Sequence, residues 1–488
     1  MATASLDPDD RTFFRRLNRI LFTNPFAVEP REIGELIGAE PVADHRAPHL
    51  FTELIPTVKA RFQRLAGRGH DTVRPFHGED RELLEHAQLF LVYHRFVTDL
   101  DRLIAAELDS GKPEPVGFAR AVLGALTERG FSERAAQRHL GLFWQLRRAY
   151  HFIDSGLLGT SASMKRLRHG LWNNVFTHDA RVYDRYLWNR MEDFSTVLLG
   201  ETGTGKGQAA AAIGRSGYIP FDERAGRFRA SFTASFIAIN LSEYPETLIE
   251  SELFGHRKGA FTGAVDNHQG VFERCSEHGA LLLDEIGDAS LGVQIKLLRV
   301  LQDREFTPVG SHTPQRFAGR VIAATHQRLD ELRQAGRFRD DFFYRLSADI
   351  ITVPTLRERL REAPEELPLL VDFLITRMTG QPAPALTELV LEVLRRDLPA
   401  DYAWPGNVRE LAQAVRRALL TRQYRGEPPR AGGDGFLAQL AAGDLDARAV
   451  LAGYCRLLYG RLGSYEAVAR QTGLDRRTVK KYLQDSEL

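Results

Sequence analysis

Cysteine is scarce in this chain. Cys275 and Cys455 are the two present, far apart in sequence. That excludes a disulfide framework and a cysteine-based zinc site, and it suits a reducing cytosol. An excess of charge of either sign is also missing. The formal net charge is +1, so no global field draws the chain onto nucleic acid, and any such binding must come from a local patch. Long apolar runs are absent too. No window approaches about 18 uncharged apolar residues, so no membrane span is expected. The N-terminal stretch MATASLDPDDRTFFRRL lacks the apolar segment of a signal peptide. These absences lead to the expectation of a soluble cytoplasmic protein. What is present, 43% hydrophobic and 26% charged, is an ordinary globular composition. A length of 488 residues predicts about three domains at roughly 150 residues each.

Residues 1–154 show no alternating strand pattern and no internal repeat. Apolar positions instead recur at helical spacing over Glu82 to Leu108 and Glu133 to Ile153. Gly111, Pro113, Pro115 and Gly130 punctuate between them. From 155 to 360 short apolar runs alternate with helical stretches. Ser195 to Gly200, Ser235 to Asn240, Gly279 to Glu285 and Gly319 to Thr325 read as buried parallel strands of an α/β nucleotide-binding domain. Residues 361–425 turn helical, 426–445 are Gly/Pro-rich and polar as a linker is, and 446–488 are helical and basic.

The first strand runs into GETGTGKG, Gly200, Glu201, Thr202, Gly203, Thr204, Gly205, Lys206 and Gly207, and then into a helix. Strand, glycine loop, lysine and helix form a phosphate cradle. The glycines let backbone N–H groups face phosphate, and Lys206 reaches the β/γ-phosphates. The Ser or Thr that usually follows the lysine, and supplies a hydroxyl to Mg²⁺, is Gly207 here. Downstream, Asp284 and Glu285 end an apolar strand. One carboxylate there suits Mg²⁺ and the next suits a general base that polarises the attacking water. Asp284 is assigned to the metal and Glu285 to the base. Between cradle and acids lies GAFTGA: Gly259, Ala260, Phe261, Thr262, Gly263 and Ala264. Its glycines allow tight turns that present Phe261 and Thr262. A phenylalanine presented to water is costly and points to a contact.

With these motifs in this order, the chain resembles the bacterial enhancer-binding proteins, the AAA+ ATPases that activate sigma-54 RNA polymerase. The resemblance covers 155–425 and the tail. It implies a multidomain fold: a mostly helical N-terminal domain, an α/β AAA+ domain with a helical lid, and a C-terminal helix-turn-helix. It implies ATP and Mg²⁺ as cofactors and GAFTGA as the contact with sigma-54. It also implies that Asn240, ending a strand, pairs with Glu285 and relays nucleotide state to the loop. VIAATH resembles the sensor I strand, with Thr325 kept and His326 where the family has Asn. GRFRDDFFYRL places Arg339 and Arg345 as arginine fingers acting on a neighbouring subunit. WPGNVREL resembles sensor II, with Arg409 toward nucleotide and Asn407 as a helix cap. Arg257 reverses the acidic residue usual before GAFTGA, and the segments around Trp172 to Asp193 and Ser216 to Thr233 are longer than the family pattern.

The tail, Ser464 to Gln484, reads as helix, turn at Thr472 and Gly473, and second helix. Ala467, Val468, Leu474, Val479 and Leu483 are expected in its core. Residues 461–484 carry six basic and two acidic side chains. Arg476, Arg477, Thr478, Lys480 and Lys481 lie on the second helix. They fit a recognition helix on double-stranded DNA, and the resemblance is to a Fis-type tail. The implied assembly is a dimer on an upstream site that closes into a hexameric ring and acts on the sigma-54 holoenzyme, with no membrane contact. Two other readings share these motifs. One is an AAA+ remodeller of a different protein. The other is a DNA-binding regulator whose ATPase is inactive because of Gly207 and His326. For residues 1–154 no ligand is legible. His70, His77, His86 and His94 are expected as exposed or satisfied histidines rather than ligands, and by analogy the region restrains the ATPase or receives a signal.

Overall fold

The structure is a computed structural model that describes residues 4–38, 47–70, 72–426, 440, 443 and 445–484. Most of the expected linker at 426–445 lies outside the described residues.

Five parallel strands form the central sheet: β1 (Thr196–Leu199), β4 (Phe236–Asn240), β5 (Ala280–Asp284), β8 (Arg320–Thr325) and β9 (Asp349–Thr352), in the order β4-β5-β8-β1-β9. Two short hairpins accompany it, β2 (Phe221–Asp222) with β3 (Arg227–Phe228) and β6 (Glu305–Phe306) with β7 (Gln315–Arg316). β5 is apolar up to Asp284 and β8 is apolar between Arg320 and Thr325, because helices cover both faces of the sheet. One face packs the helix Leu291–Asp303 through Val293, Leu297 and Leu301. The other packs Lys206–Gly214 and Ala162–Phe176 through Ala209, Ile213, Leu167 and Leu171. At the start of the strands, buried Arg320 donates to Phe194 O at 2.9 Å and Asn174 Oδ1 at 2.8 Å. Asn174 in turn donates to Thr196 Oγ1 at 2.9 Å, so one polar network pins the helix to two strands.

The lid is formed by Leu356–Glu362, Glu366–Thr379, Pro384–Asp397 and Asn407–Thr421 around Leu370, Val390, Leu394, Trp404 and Val415. Arg359 and Glu366, both buried, pair at 2.8 Å. Glu366 also accepts from Thr160 N at 2.6 Å, which ties the lid to the segment entering the α/β domain.

The N-terminal region is helical as expected, with helices Pro8–Phe22, Pro30–Ile37, Ala47–Gly67, Gly78–Arg95, Val97–Ser110, Ala119–Glu128 and Glu133–Tyr150. The stretch Glu82 to Leu108 is not one helix. It breaks at Phe96, whose N–H bonds Tyr93 O at 3.1 Å and whose ring is buried.

This region does not end cleanly at 154. The lengthened segment 216–233 folds as the β2–β3 hairpin, and its Ile219, Phe221, Phe228 and Phe232 enter one core with Val92, Leu103, Val122 and Trp144. Trp144 stacks on Phe228, with centroids 5.2 Å apart. Arg148, fully buried, donates to the carbonyls of Arg215 and Gly217, and Gln145 donates to Ser216 O at 2.9 Å. Those three successive carbonyls follow the C-terminal end of Lys206–Gly214, where a cation complements the helix dipole.

The tail is a three-helix unit, Ala447–Leu462, Tyr465–Thr472 and Arg476–Gln484, around Cys455, Leu458, Val468 and Val479. Val468 and Val479 are fully buried, and Leu474 and Leu483 pack against them. The alanine that packs there is Ala469, two residues on from the expected Ala467 and on the other side of the helix.

Candidate functional site

β1, β5 and β8 end at the same edge of the sheet, and the candidate residues gather there because their motifs begin where these strands stop. Gly200 follows β1 and its N–H bonds Thr325 O, at the end of β8, at 3.3 Å. The glycine loop turns through Gly203 (φ 83°) and Gly205 (φ 104°), which need left-handed backbone. A Cβ at Gly203 would lie 2.3 Å from Gly406 O, so the loop is seated directly against the lid turn. Thr204 Oγ1 closes the loop onto Glu201 O at 2.8 Å.

Lys206 is buried, and its Nζ donates to Gly200 O at 2.8 Å and Glu201 O at 3.2 Å. Burial pushes its pKa down, against the pull of Glu285 and Asp284. Those carboxylates therefore face the lysine across the sheet edge. Asp284 lies half-buried, and burial raises its pKa. Glu285 follows in the left-handed region (φ 52°, ψ 48°), a costly conformation for a side-chain-bearing residue. Backbone donors in the glycine loop, a lysine inside it and an acidic pair opposite form a donor set that fits a nucleoside triphosphate with a divalent cation. Gly207 has nothing within 4 Å of a built Cβ, so the missing hydroxyl leaves open space there.

The expected pairing of Asn240 with Glu285 is absent. Asn240 Oδ1 accepts from Ser242 N at 3.0 Å, and Nδ2 donates to Glu243 Oε1 at 3.3 Å. Glu285 Oε2 instead lies 2.8 Å from His326 Nδ1. Thr325 is fully buried, and its Oγ1 accepts from Gln327 N at 3.1 Å.

Arg339 is half-exposed and held by Asp341 at 2.7 Å on its own helix. Arg345 is less free, because its Nε donates to Leu301 O at 2.9 Å. Arg409 is exposed near Lys206, and its backbone N–H bonds Gly203 O at 3.3 Å.

Asn407 does not cap its helix. It is fully buried at φ 54°. Its Nδ2 donates to Glu201 Oε2 and Thr202 O, both at 3.1 Å, while its Oδ1 accepts from Leu356 N at 2.8 Å. One side chain thus joins the glycine loop to the start of the lid. Arg357 adds an ion pair to Glu201. Sequence reading missed both links. The signal for Asn407 was its place beside Trp404-Pro405-Gly406, a turn that requires positive φ at Trp404 and Asn407.

The GAFTGA loop leaves the body between the helices Glu246–Phe254 and Val271–Arg274. His256 and His268 close its base by bonding N–H to O at 3.0 and 2.9 Å. Gly259 (φ 79°) and Gly263 (φ 103°) turn it, and Gly259 N bonds Ala264 O at 2.8 Å. Thr262 is exposed and Ala264 is buried. Phe261 is 37% exposed, with its ring edge-on to His256 at 4.9 Å, so it is presented but leans on the loop base. A Cβ at Gly310 would meet Ala260 at 2.6 Å, so the loop between β6 and β7 backs it closely.

In the tail, Arg476, Arg477, Lys480 and Lys481 are all exposed. Asp475 caps their helix by accepting from Arg477 N at 2.8 Å and Thr478 N at 3.0 Å. Arg476 also pairs with Glu466 at 2.9 Å. In the N-terminal region His77 bonds Phe76 O, His86 bonds Asn18, His70 packs on Phe76, and His94 packs on Phe90 and Tyr93. Among the described residues the four do not converge on a metal site.

Parallel strands in this order, a glycine loop with its lysine, an acidic strand end and a helical lid together define an AAA+ ATPase domain. Residues 180–352 match the sigma-54 interaction domain, and residues 361–426 match an AAA+ ATPase lid domain. The DNA-binding transcriptional regulator NtrC of Azospirillum brasilense is 44% identical over 238 residues, 48% of this chain and 45% of that protein. The anaerobic nitric oxide reductase transcription regulator NorR of Aeromonas salmonicida is 39% identical over 271 residues, 55% of this chain and 47% of its own length. The Nif-specific regulatory protein of Azotobacter vinelandii is 41% identical over 266 residues, 52% and 46% of the two chains. The chain spans less than half the length of these relatives. Over residues 180–426 the chain is similar to the sigma-54 interaction and AAA+ lid domains that these transcriptional regulators share. No helix among the described residues is long and apolar enough to cross a membrane.

Proposed function

We propose that this protein is an ATP-dependent transcriptional activator. It binds upstream DNA through residues 446–488, assembles from dimers into a hexameric ring, and uses ATP hydrolysis to remodel the sigma-54 holoenzyme through Gly259–Ala264. The observation that carries this reading is the meeting of Lys206, Asp284 and Glu285 at one sheet edge, in a chain that also presents Phe261 and Thr262 on a glycine-hinged loop.

ATP with Mg²⁺ supplies the transferable phosphoryl group and most of the neutralising charge. Lys206 gives up the carbonyls of Gly200 and Glu201 for phosphate oxygens, alongside the backbone N–H groups of Gly203 to Lys206. Asp284 would hold the cation, whose charge would offset the burial that raises this carboxyl's pKa. Glu285 accepts the proton of the attacking water. Arg339 reaches a neighbouring subunit's nucleotide by leaving Asp341, an exposed pair worth little. Arg345 contributes only after leaving Leu301 O. Arg409 approaches the same phosphates from the lid. Arg476, Arg477, Thr478, Lys480 and Lys481 meet DNA.

Glu285→Gln and Thr262→Ala test the two halves of this reading. Glu285→Gln is expected to bind ATP while hydrolysis falls about 10²–10⁴-fold, and ordinary turnover would refute its role. Thr262→Ala is expected to hydrolyse ATP normally yet fail to open a promoter with purified sigma-54 holoenzyme. Retained opening would remove the loop from the mechanism.

A further inference from the structure

We infer that His326 is the positioning residue for Glu285. The inference rests on the proposal that Glu285 is the general base. β5 lies between β4 and β8, so the residue after its end is flanked by the ends of both neighbours. Asn240 ends β4 on one side, and His326 follows β8 on the other. Asn240 is spent on Ser242 N and Glu243.

His326 meets the base twice. Its Nδ1 lies 2.8 Å from Glu285 Oε2, and its backbone N–H reaches the same oxygen at 3.4 Å. An ionised carboxylate only accepts, so Nδ1 is the protonated ring nitrogen in this contact. The bond to a charged acceptor is of the stronger kind. Both donors fall on Oε2, while Oε1 has no hydrogen-bond partner among the described residues. One oxygen is therefore anchored and the other is left to take a proton. The left-handed backbone of Glu285 aims the side chain, and the His326 contact fixes its last torsion. The carboxylate is 16% exposed and the imidazole 45%, so the anchor stands on the open side of the site. A residue that merely filled space there would offer the backbone N–H alone, so the shorter Nδ1 contact is what the imidazole adds.

The test is steady-state ATP hydrolysis by the full-length chain, comparing wild type, His326→Ala, His326→Asn and Glu285→Gln, and each His326 change combined with Glu285→Gln. His326→Ala is expected to lower kcat about tenfold or more, with the KM for ATP within about twofold. His326→Asn places an N–H where Nδ1 stood and should restore most of the rate. In the Glu285→Gln background His326→Ala should cost nothing further. An unchanged kcat for His326→Ala, a rise in KM alone, or an equal loss in the Glu285→Gln background would each overturn the inference and leave the ATPase reading standing. A wild-type protein without turnover, or a Glu285→Gln variant with full turnover, would overturn the reading beneath it as well.

Discussion

Arg148→Met is expected to cost the folded protein about 3–5 kcal/mol, the range for stripping one partner from a buried charged network. Arg148 is fully buried, and burial pushes its pKa down to about 9. It is retained there by two bonds to backbone carbonyls, those of Arg215 and Gly217, and by the field of buried Glu107. Each bond from a charged donor is worth about 1.5–3 kcal/mol. Methionine keeps much of the stem against Trp144 and Phe232, so the loss is mostly polar. It leaves two orphaned carbonyls and a carboxylate without its cation. Urea unfolding of the full chain, followed by tryptophan fluorescence, measures the loss, because Trp144 sits under the guanidinium. A double change, Glu107→Gln with Arg148→Met, should recover part of it, since both charges then leave the core together. ATP affinity should fall several-fold in the single variant, because the helix beginning at Lys206 ends at these carbonyls. A cost below about 1 kcal/mol, the size of one ordinary neutral hydrogen bond, would refute the view that Arg148 fastens the N-terminal region to that helix.

Acidification should destabilise the same region. Burial holds His94 and His139 at pKa values of about 4, against 6.5 in the unfolded chain. The unfolded state therefore takes up protons first, and stability present above pH 6.5 is lost as the pH falls toward 4, about 2 kcal/mol per histidine of it between pH 7 and pH 5. Unfolding midpoints at pH 7 and pH 5 measure this, and His139→Gln should flatten the profile; equal slopes would contradict it. In the tail, Lys480→Ala with Lys481→Ala should weaken DNA binding by a similar factor on every sequence and make the log–log salt slope shallower by about 2. A sequence-dependent loss at constant slope would assign these lysines to bases instead.

The strands at Val197, Ile239, Leu282 and Ile322 were legible because parallel strands buried on both faces are continuous apolar runs. β9 was not, since Asp349–Thr352 holds two apolar residues between polar ones. The β2–β3 hairpin was illegible for a similar reason: each strand is two residues long and gains its meaning from Trp144, far away in sequence. At the site, Lys206, Asp284 and Glu285 could be read because each residue type sits at a strand end with an obligatory chemistry. Their partners could not. Whether Glu285 takes Asn240 or His326, or whether Arg345 is free or bonded to Leu301, depends on neighbours that local pattern does not encode. Asn407 read as a cap because helix-start asparagines usually are, and the close seating of Gly203 on Gly406 overrode that habit.

The core shared by Trp144, Phe228 and Phe232 has a consequence for how such a protein is cut or recombined. A regulatory module joined by a tether is portable: it can be removed, or exchanged for another, at the tether. Here the seam runs through stacked aromatic rings. Cleavage near residue 155 would leave Phe221, Phe228 and Phe232 on the ATPase side facing water, and a graft of the first 150 residues onto a relative without the hairpin would bare Trp144 and Val122. The natural unit of exchange is therefore discontinuous, the helical region together with residues 216–233, and the two pieces can change only in step.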